Sequence, residues 1–213
     1  MKEVKSKDSK LNLVLLGAPG AGKGTQARLL CDAINIQHIS TGDIFRKHIA
    51  GNTELGIQVK EYLDNGLLVP DSVTIEIVKL RLSECKQGFV LDGFPRTVLQ
   101  AQALDELVNI DSVINISVSI DKLASRLALR RVCHCGKTFT APNLDVKSIQ
   151  CVCGGKAVQR EDDKQAIVKR ISVYQSDTAP LIEFYQKQGK LFTVDGMQSI
   201  ELVHQSLYSK LFG

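Results

Sequence analysis

Several features that would define other classes of protein are missing from this sequence. No stretch approaches the ~20 uninterrupted apolar residues that a membrane-spanning helix requires. Residues 1–10 are charged and contain no apolar region, so we expect no signal peptide there and interpret the segment as a disordered tail. No internal repeat and no low-complexity tract is present. These absences favour a cytoplasmic protein with a folded core and no contact with a membrane.

A large excess of charge is missing as well. The formal net charge is +4, and the tail supplies half of it, because its four lysines outnumber its two acids. The remaining chain is only mildly basic, which argues against a broad nucleic-acid surface. Aromatic residues are also scarce near the clustered cysteines of residues 133–153, where only Phe139 occurs. A stacking platform for nucleic acid is therefore not expected there.

Disulfides are not expected either. The sequence has six cysteines and no export signal, and disulfides are rare in reducing compartments. Cys31 and Cys85 stand alone in helix-like segments, where we expect them to behave as small buried hydrophobic residues.

What the chain does contain is an alternation of strand-like and helix-like segments. Short apolar runs predict five strands, at Leu11–Leu16, Gln37–Ile39, Phe89–Leu91, Val113–Val118 and Leu191–Val194. Apolar residues at helical spacing occur elsewhere, first at Val73, Ile77 and Leu80, and then at Ile200, Val203, Leu207 and Leu211. This pattern indicates an α/β protein with a parallel sheet covered on both faces. Two insertions interrupt it: residues 40–70 look helical only, and residues 132–160 look irregular or made of small strands.

The first strand candidate leads directly into a glycine-rich segment, residues 17–25, of sequence GAPGAGKGT. A strand, a glycine-rich turn, a lysine and a helix-like stretch form the arrangement of a phosphate-binding P-loop. Glycines let backbone N–H groups converge on an anion, and Lys23 can bridge two phosphates. The alternative is a glycine-rich turn without a ligand, which the flanking strand and helix disfavour. Gly24 stands where many P-loops carry a magnesium-contacting hydroxyl, which comes one residue later here, at Thr25.

Two other strand ends carry polar residues. Thr41 follows the second strand, where it can cap a helix while its hydroxyl faces a ligand, and Arg46 lies about one turn further along. A simple cap followed by a surface arginine is the alternative. Asp92 ends the third strand, where its carboxylate can hold a magnesium-bound water beside the P-loop. A structural aspartate is the alternative, but a carboxylate at the mouth of a parallel sheet is costly without a cationic partner.

Arginines are the third type of candidate. Arg126 and Arg130 are four residues apart, hence on one helix face, where like charges are mildly destabilising unless an anion answers them. A solvated surface position is the alternative for each arginine alone. Six arginines spread over both insertions and the sheet mouth fit a bound polyanion better: Arg46, Arg96, Arg126, Arg130, Arg160 and Arg170. Phosphoryl transfer uses such guanidinium groups together with backbone amides, a lysine and a metal ion.

Six segments, in order, together resemble the adenylate kinase family: GAPGAGKGTQ, HISTGDIFR, LVPDSVT, FVLDGFPRTVLQ, RRV and the segment around REDD. The resemblance extends from about residue 11 to 212. It implies a P-loop three-layer fold with a five-stranded parallel sheet, whose core comprises residues 11–39, 70–128 and 164–213. It also implies a helical AMP-binding segment at 40–69, called the arm below, and an insertion at 129–163, called the lid.

The resemblance implies roles for individual residues as well. The residues that would contact ATP are Gly20, Ala21, Gly22, Lys23, Gly24, Thr25, Arg130, Thr138, Phe139 and Gln198. Those that would contact AMP are Thr41, Arg46, Leu67, Leu68, Val69, Gly93, Phe94, Pro95, Arg96, Gln100, Arg160 and Arg170. The residues that would act in catalysis, with Mg²⁺ bound to ATP, are Lys23, Asp92, Arg96, Arg126, Arg130, Arg160 and Arg170.

The lid carries four cysteines in two C-x-C pairs, Cys133 with Cys135 and Cys151 with Cys153. Four thiols in two pairs suit tetrahedral zinc, and many bacterial members of the family carry a structural zinc at this place. Their pairs are spaced C-x-x-C, so we expect the shorter pairs to be unable to direct backbone amides at the first sulfur. His134 is an alternative ligand, and a metal-free lid with reduced thiols is the remaining alternative.

The sequence therefore predicts a magnesium-dependent kinase that converts ATP and AMP into two ADP, acts as a monomer, and binds only small nucleotides. One alternative is a UMP/CMP kinase of the same fold, which the long lid and Gln100, matching the family's adenine-reading glutamine, disfavour. The other is a zinc-ribbon nucleic-acid binder, which the charge distribution disfavours.

Overall fold

The computed structural model describes residues 10–159 and 166–213. The predictions for residues 1–9 of the tail and for Arg160 lie outside this range.

The predicted five-stranded parallel sheet is confirmed. Its strands are β1 (Asn12–Leu16), β2 (Gln37–Ser40), β3 (Phe89–Asp92), β4 (Ser112–Ser117) and β9 (Leu191–Asp195). They lie in the order β2-β3-β1-β4-β9, and every neighbouring pair is parallel. In the sheet, β3 lies on one side of β1 and β4 on the other, so the strand order reverses at β1. A crevice forms at such a position, outside the carboxyl ends of the strands.

Helices cover both faces of this sheet. The helices in the described part of the chain, those of the arm included, are α1 (Lys23–Ile34), α2 (Thr41–Ala50), α3 (Glu54–Asp64), α4 (Asp71–Ser83), α5 (Val98–Leu107), α6 (Ile120–Leu129), α7 (Ile167–Val173), α8 (Pro180–Lys187) and α9 (Ile200–Phe212), with a π-helical turn at Tyr174–Thr178. Alternate strand residues enter two apolar clusters, so Leu13 and Leu15 pack on one face and Val14 and Leu16 on the other. Within the described part of the chain, no helix is long and apolar enough to cross a membrane.

The helical spacing predicted that these segments form helices, but it predicted less well which of their residues are buried. In α4 the buried side chains are Thr74 and Val78, while Leu80 is 63% exposed, so the expected apolar face is wrong at Leu80. In α9 Val203 and Leu207 are buried, but Ile200 is exposed. Packing of neighbouring elements decides which side of a helix is covered, and spacing alone does not contain that information.

The arm is helical, as expected. Helices α2 and α3 pack around a small cluster of Phe45, Val59 and Val69. Their close approach depends on Gly56, because a Cβ at this position would lie 2.1 Å from the carbonyl oxygen of His48.

The lid is a separate antiparallel sheet. Its strands are β5 (Arg130–Val132), β6 (Thr138–Thr140), β7 (Ser148–Gln150) and β8 (Lys156–Val158), in the order β6-β5-β8-β7. Arg131 is fully buried, and its guanidinium donates to the carbonyl oxygens of Val146, Ala128 and Arg130. The side chain therefore connects the end of α6 to the loop before β7. The small-strand alternative for residues 132–160 is confirmed as far as residue 159.

Candidate nucleotide-binding site

The P-loop connects β1 to α1. Its turn requires glycine at Gly17, where φ is +139° and a Cβ would lie 2.6 Å from the carbonyl oxygen of Ile116. At Gly24, a Cβ would lie 3.2 Å from Oδ2 of Asp92. A side chain at this position would therefore require the Asp92 carboxylate to shift by a few tenths of an ångström.

Lys23 is held inside the loop. Its ammonium group donates to the carbonyl oxygens of Gly17, at 2.8 Å, and Ala18, at 3.1 Å. Burial lowers the pKa of Lys23 to about 8, although Asp92 opposes the shift, and Arg96 and other nearby arginines lower the pKa further. An anion bound here would relieve the repulsion among these cations, so the site is electrostatically suited to phosphate.

Asp92 lies beside Lys23 at the end of β3. Burial alone would raise the pKa of this carboxyl group, but His38, Lys23 and Arg96 together hold it at about 2. The imidazole Nε2 of His38 is 3.7 Å from Asp92 Oδ2. Asp92 is therefore an ionised carboxylate with cationic neighbours, as the cost of burying a charge requires. His38 was not among the predicted site residues, and the only signal for it was a polar side chain within the second strand candidate.

The five predicted arginines that the structure describes all line one crevice with the P-loop. This crevice, called the P-loop crevice below, encloses about 370 Å³. The cationic side chains in its wall are Lys23, Arg28, Arg46, Arg96, Arg126, Arg130 and Arg170. Arg126 is oriented by a 3.0 Å hydrogen bond to the carbonyl oxygen of Gly196, and Arg96 by a 2.8 Å bond to that of Gly93. Arg28 was not predicted.

A second, smaller cavity adjoins the crevice on the side of the arm. This arm cavity has a volume of about 80 Å³, and the predicted AMP contacts that line it are Arg46, Leu67, Leu68, Gly93, Pro95, Arg96 and Arg170. The side chains of Val69 and Phe94 do not line it, since Val69 packs with Phe45 and Phe94 lies fully in the main core. Only their backbone groups remain available for a ligand.

Thr41 differs from its expected role. Ser40, not Thr41, caps α2, because the Ser40 hydroxyl accepts a hydrogen bond from the amide of Asp43. Thr41 is 2% exposed, and its hydroxyl donates to the carbonyl oxygen of Gly93 at 2.9 Å. The expectation that Thr41 caps the helix is wrong, because α2 begins one residue earlier than its spacing from the strand indicated. Thr41 instead fastens α2 to the turn after β3.

Gln100 is buried, lines neither the P-loop crevice nor the arm cavity, and already makes hydrogen bonds within the protein. Its Oε1 accepts from the amide of Arg96 at 2.8 Å, and its Nε2 donates to Oδ1 of Asp71 at 2.6 Å. Asp71 also accepts from the hydroxyl of Thr97. Each end of the Gln100 amide keeps one further hydrogen-bonding position. Asp71 was not predicted as a site residue, although it belongs to the LVPDSVT segment.

The strand β6 divides its side chains between two environments. Thr138 lines the P-loop crevice, as does Gln198 from the loop before α9. Phe139 packs instead against the cluster of Cys133 and Cys151. Successive strand residues point to opposite faces, so Thr138 and Phe139 cannot both face one crevice. The suggested place of Phe139 near the ATP adenine stays a prediction that its side-chain orientation does not support.

The four lid cysteines form one cluster. Their sulfur atoms all lie within 4.8 Å of one another, with 3.5 Å between Cys133 and Cys153 and 3.6 Å between Cys135 and Cys151. A tetrahedral zinc with bonds of about 2.3 Å needs sulfur atoms about 3.8 Å apart, so this donor set fits zinc. The Nδ1 of His134 is 3.6 Å from Cys133 Sγ, but His134 is not part of the cluster.

The backbone amides of the two turns affect the pKa values of the lid cysteines. Hydrogen bonds from the amides of Cys135 and Cys153 lower the pKa values of Cys133 and Cys151, respectively, although burial and neighbouring thiols raise both overall. The amide of Lys137 lowers the pKa of Cys135, to about 6 with the help of the other thiols. The expectation that a C-x-C pair cannot direct an amide at its first sulfur stays a prediction. None of the described cysteines forms a disulfide.

The parallel sheet, its P-loop and the adjoining carboxylate define a nucleotide-binding protein of the P-loop class. The sequence model of adenylate kinase matches residues 15–190. The chain is 47% identical over 214 residues to an adenylate kinase of Acetivibrio thermocellus, covering 95% of this chain and 99% of that protein. It is 49% identical over 212 residues to one of Alkaliphilus oremlandii, covering 94% and 98%, and 51% identical over 201 residues to one of Caldicellulosiruptor bescii, covering 89% and 94%. The chain belongs to the adenylate kinase family.

Proposed function

We propose that the protein transfers a phosphoryl group reversibly from ATP to AMP, giving two ADP. The observation that carries this proposal is that the P-loop crevice and the arm cavity share four cationic side chains, those of Lys23, Arg46, Arg96 and Arg170. Two nucleotides entering from the two sides would bring their phosphates together at these cations. The relatives named adenylate kinase support the same activity.

ATP would occupy the P-loop crevice. The loop and α1 would hold its phosphates through Gly20, Ala21, Gly22, Lys23, Gly24 and Thr25, with Arg130, Thr138 and Gln198 nearby. Mg²⁺ would be held on the ATP by water bound to Asp92 and by the Thr25 hydroxyl. The ionised state of Asp92 fits this hard cation.

AMP would occupy the arm cavity. Arg46, Arg96 and Arg170 would pair with its phosphate, while Leu67 and Leu68 supply an apolar wall. Gln100 would read the adenine through the hydrogen-bonding positions that Arg96 and Asp71 leave open. Thr41 would act indirectly, by fixing the turn that carries Gly93.

The reaction then needs no side chain as nucleophile or general base. A phosphate oxygen of AMP attacks the terminal phosphorus of ATP, the bond to ADP breaks, and charge is spread over the transferring group. Lys23, Arg126, Arg130 and Arg170 would neutralise that charge, and closure of the lid and arm would exclude water. The preorganised cations make alignment and charge stabilisation the main sources of rate enhancement.

The finer parts of the proposal concern the lid and the setting of the enzyme. Zinc would bind Cys133, Cys135, Cys151 and Cys153 as a structural ion, because four protein ligands leave no position open for substrate. Reduced thiols suit the cytoplasm. We further propose that the enzyme acts as a monomer and binds no nucleic acid, in line with its mild charge.

Measuring nucleoside diphosphate formation with AMP, CMP and UMP as acceptors, with Mg-ATP as donor, tests the function. We expect efficient turnover with AMP and turnover lower by at least about tenfold in kcat/KM with the pyrimidines, because unpaired polar groups penalise the wrong base. Preference for CMP or UMP would establish the pyrimidine kinase instead. The absence of turnover with every acceptor, together with tight binding of RNA, would leave the zinc-ribbon alternative.

A further inference from the structure

One cationic side chain in the P-loop crevice has no part in the scheme above. Arg28 lies on α1, five residues after Lys23, and its side chain is 31% exposed. Although Arg28 belongs to the central domain, its guanidinium meets residues of both insertions.

On the side of the arm, Arg28 Nη2 is 3.9 Å from Oδ2 of Asp43. The other oxygen of this carboxylate, Oδ1, accepts a 2.6 Å hydrogen bond from Arg46, the arginine assigned to the AMP phosphate. Asp43 therefore lies between the two guanidiniums, hydrogen-bonded to Arg46 and within ion-pair distance of Arg28. A change at Arg28 would alter the charge that faces the carboxylate holding Arg46.

On the side of the lid, the same guanidinium meets the turn that carries the first cysteine pair. A Cβ added to Gly136 would lie 2.7 Å from Nη2 of Arg28 and 3.3 Å from Cζ. Gly136 closes this turn, since its amide donates to the carbonyl oxygen of Cys133 at 2.8 Å. The guanidinium thus packs directly against the backbone of the cysteine turn.

We propose that Arg28 is a positioning residue that links the arm to the cysteine turn of the lid across α1. The proposal rests on the proposed function, because it assigns the linked segments to the two substrates. Through Asp43 the link holds Arg46 ready for the acceptor phosphate, and through Gly136 it holds the lid against the helix that begins at Lys23.

The chemistry of arginine suits this role. A guanidinium is planar, carries five N–H donors and stays charged at every physiological pH, so it can face two partners at once. Lysine offers a single point charge and could satisfy only one of them. A solvated surface arginine is the simpler interpretation, and Arg81 illustrates it: Arg81 pairs only with Glu84 of its own turn among its described ion pairs and lies outside both cavities.

The experiment compares hydrogen exchange and kinetics of the full-length, metal-loaded protein in three variants. Arg28→Gln removes the charge at similar length, Arg28→Lys keeps the charge without the planar fork, and Arg81→Gln is a charge-matched control outside the link. Exchange is followed in residues 43–50 of the arm and 133–137 of the lid. Initial rates give kcat and KM for AMP and ATP.

For Arg28→Gln we expect faster exchange in both segments and a KM for AMP about two- to fivefold higher, with kcat within about twofold of wild type. Arg28→Lys should protect the arm but not the lid, and Arg81→Gln should change neither. Raising the salt concentration should loosen the arm segment in the wild type and have less effect in Arg28→Gln, while the packing contact with the lid should change little.

In Arg28→Gln, a loss of protection in one segment only, or effects equal to those of Arg81→Gln, would overturn the link. The proposed function is judged separately, on wild-type turnover of AMP. If the wild type fails to phosphorylate AMP, the exchange comparison still decides whether Arg28 connects the two segments.

Discussion

The two sheets of this protein are held together by different means. Five parallel strands form the central sheet, and two large apolar clusters, one on each face, bury its side chains. The lid has four strands of three residues each, and its buried cluster contains only Cys133, Cys151 and Ala157, with Phe139 and Ile149 against it. So small a cluster buries little apolar surface, and proteins commonly compensate for that shortage with a metal or other crosslink.

We expect the two sheets to have different roles. The central sheet must hold Lys23 and Asp92 in fixed positions despite the cost of burying their charges, and a large core supplies the stability that this requires. In the proposed reaction the lid would move over a substrate and return, and a compact unit crosslinked by zinc would suit that motion better than a large shared core. Chemistry should therefore depend mainly on the central domain, and lid order mainly on the cysteines.

The substitution Lys23→Met is the strongest test of the expectation that chemistry depends mainly on the central domain. We expect kcat to fall by about 10²–10³-fold, because a preorganised charge on the transferring group is lost. The melting temperature should change little, since burial lowers the pKa of this ammonium to about 8, and relief of that buried charge opposes the loss of a cationic neighbour of Asp92. Steady-state kinetics and thermal unfolding measure both effects. Near-normal turnover would remove Lys23 from the mechanism.

Metal removal tests the expectation that the order of the lid depends mainly on its cysteines. Chelation, or the substitution Cys151→Ser, should lower the melting temperature by about 10 °C and speed hydrogen exchange in residues 130–158, while the central sheet stays protected. Some turnover should persist at low temperature, because the proposed zinc contacts no phosphate. Cys31→Ser is the matched control, since Cys31 packs against the main core.

Metal analysis of the purified protein provides the decisive count. Well under one zinc per chain, with thiols that titrate freely in the folded state, would contradict the zinc assignment. Loss of all activity without any loosening of the lid would contradict only its structural character.

The loss of folding stability at acidic pH tests the ion pairing around Asp92. The pKa of this group is about 2 in the folded protein and 3.8 in its reference state, so the unfolded chain binds the proton first as pH falls. Its contribution, about 2 kcal/mol, is present above pH 3.8 and is lost as pH falls towards 2. Unfolding in denaturant across this range should show the loss in wild type. Asp92→Asn should flatten that part of the curve.

The smallest expected effect distinguishes the two substrates. Gln100→Ala should raise the KM for AMP by about tenfold and relax the choice of base, because the site loses its polar partner for the adenine. The affinity for ATP should stay nearly constant, since Gln100 lies outside the P-loop crevice. Acceptor and donor titrations measure this, and equal losses for both nucleotides would argue against Gln100 as the adenine reader.

Much of this molecule follows from local sequence. All five strands of the sheet were predicted to within one or two residues, because short apolar runs bounded by polar or glycine residues are a local signal. The P-loop could be predicted equally well, since its glycines, its lysine and the flanking strand and helix are contiguous in the sequence. The cysteine cluster followed from two pairs that can meet when a short loop folds back.

Other features depend on which surfaces meet. The hydrogen bond from Thr41 to Gly93, the pairing of Gln100 with Asp71, and the approach of Arg28 to Gly136 each join residues far apart in the chain. The exposure of Leu80 is of the same kind, because the elements packed against α4 decide which of its faces is covered.

The sequence by itself determined the order of elements, the phosphate-binding loop and the supply of cations. Only the tertiary structure decided that His38 lies beside Asp92, that Phe139 faces sulfur rather than the crevice, and that Arg28 meets both insertions. The reason is physical: spacing along the chain sets which side chains share a face of one element, whereas the packing of elements sets what each face meets.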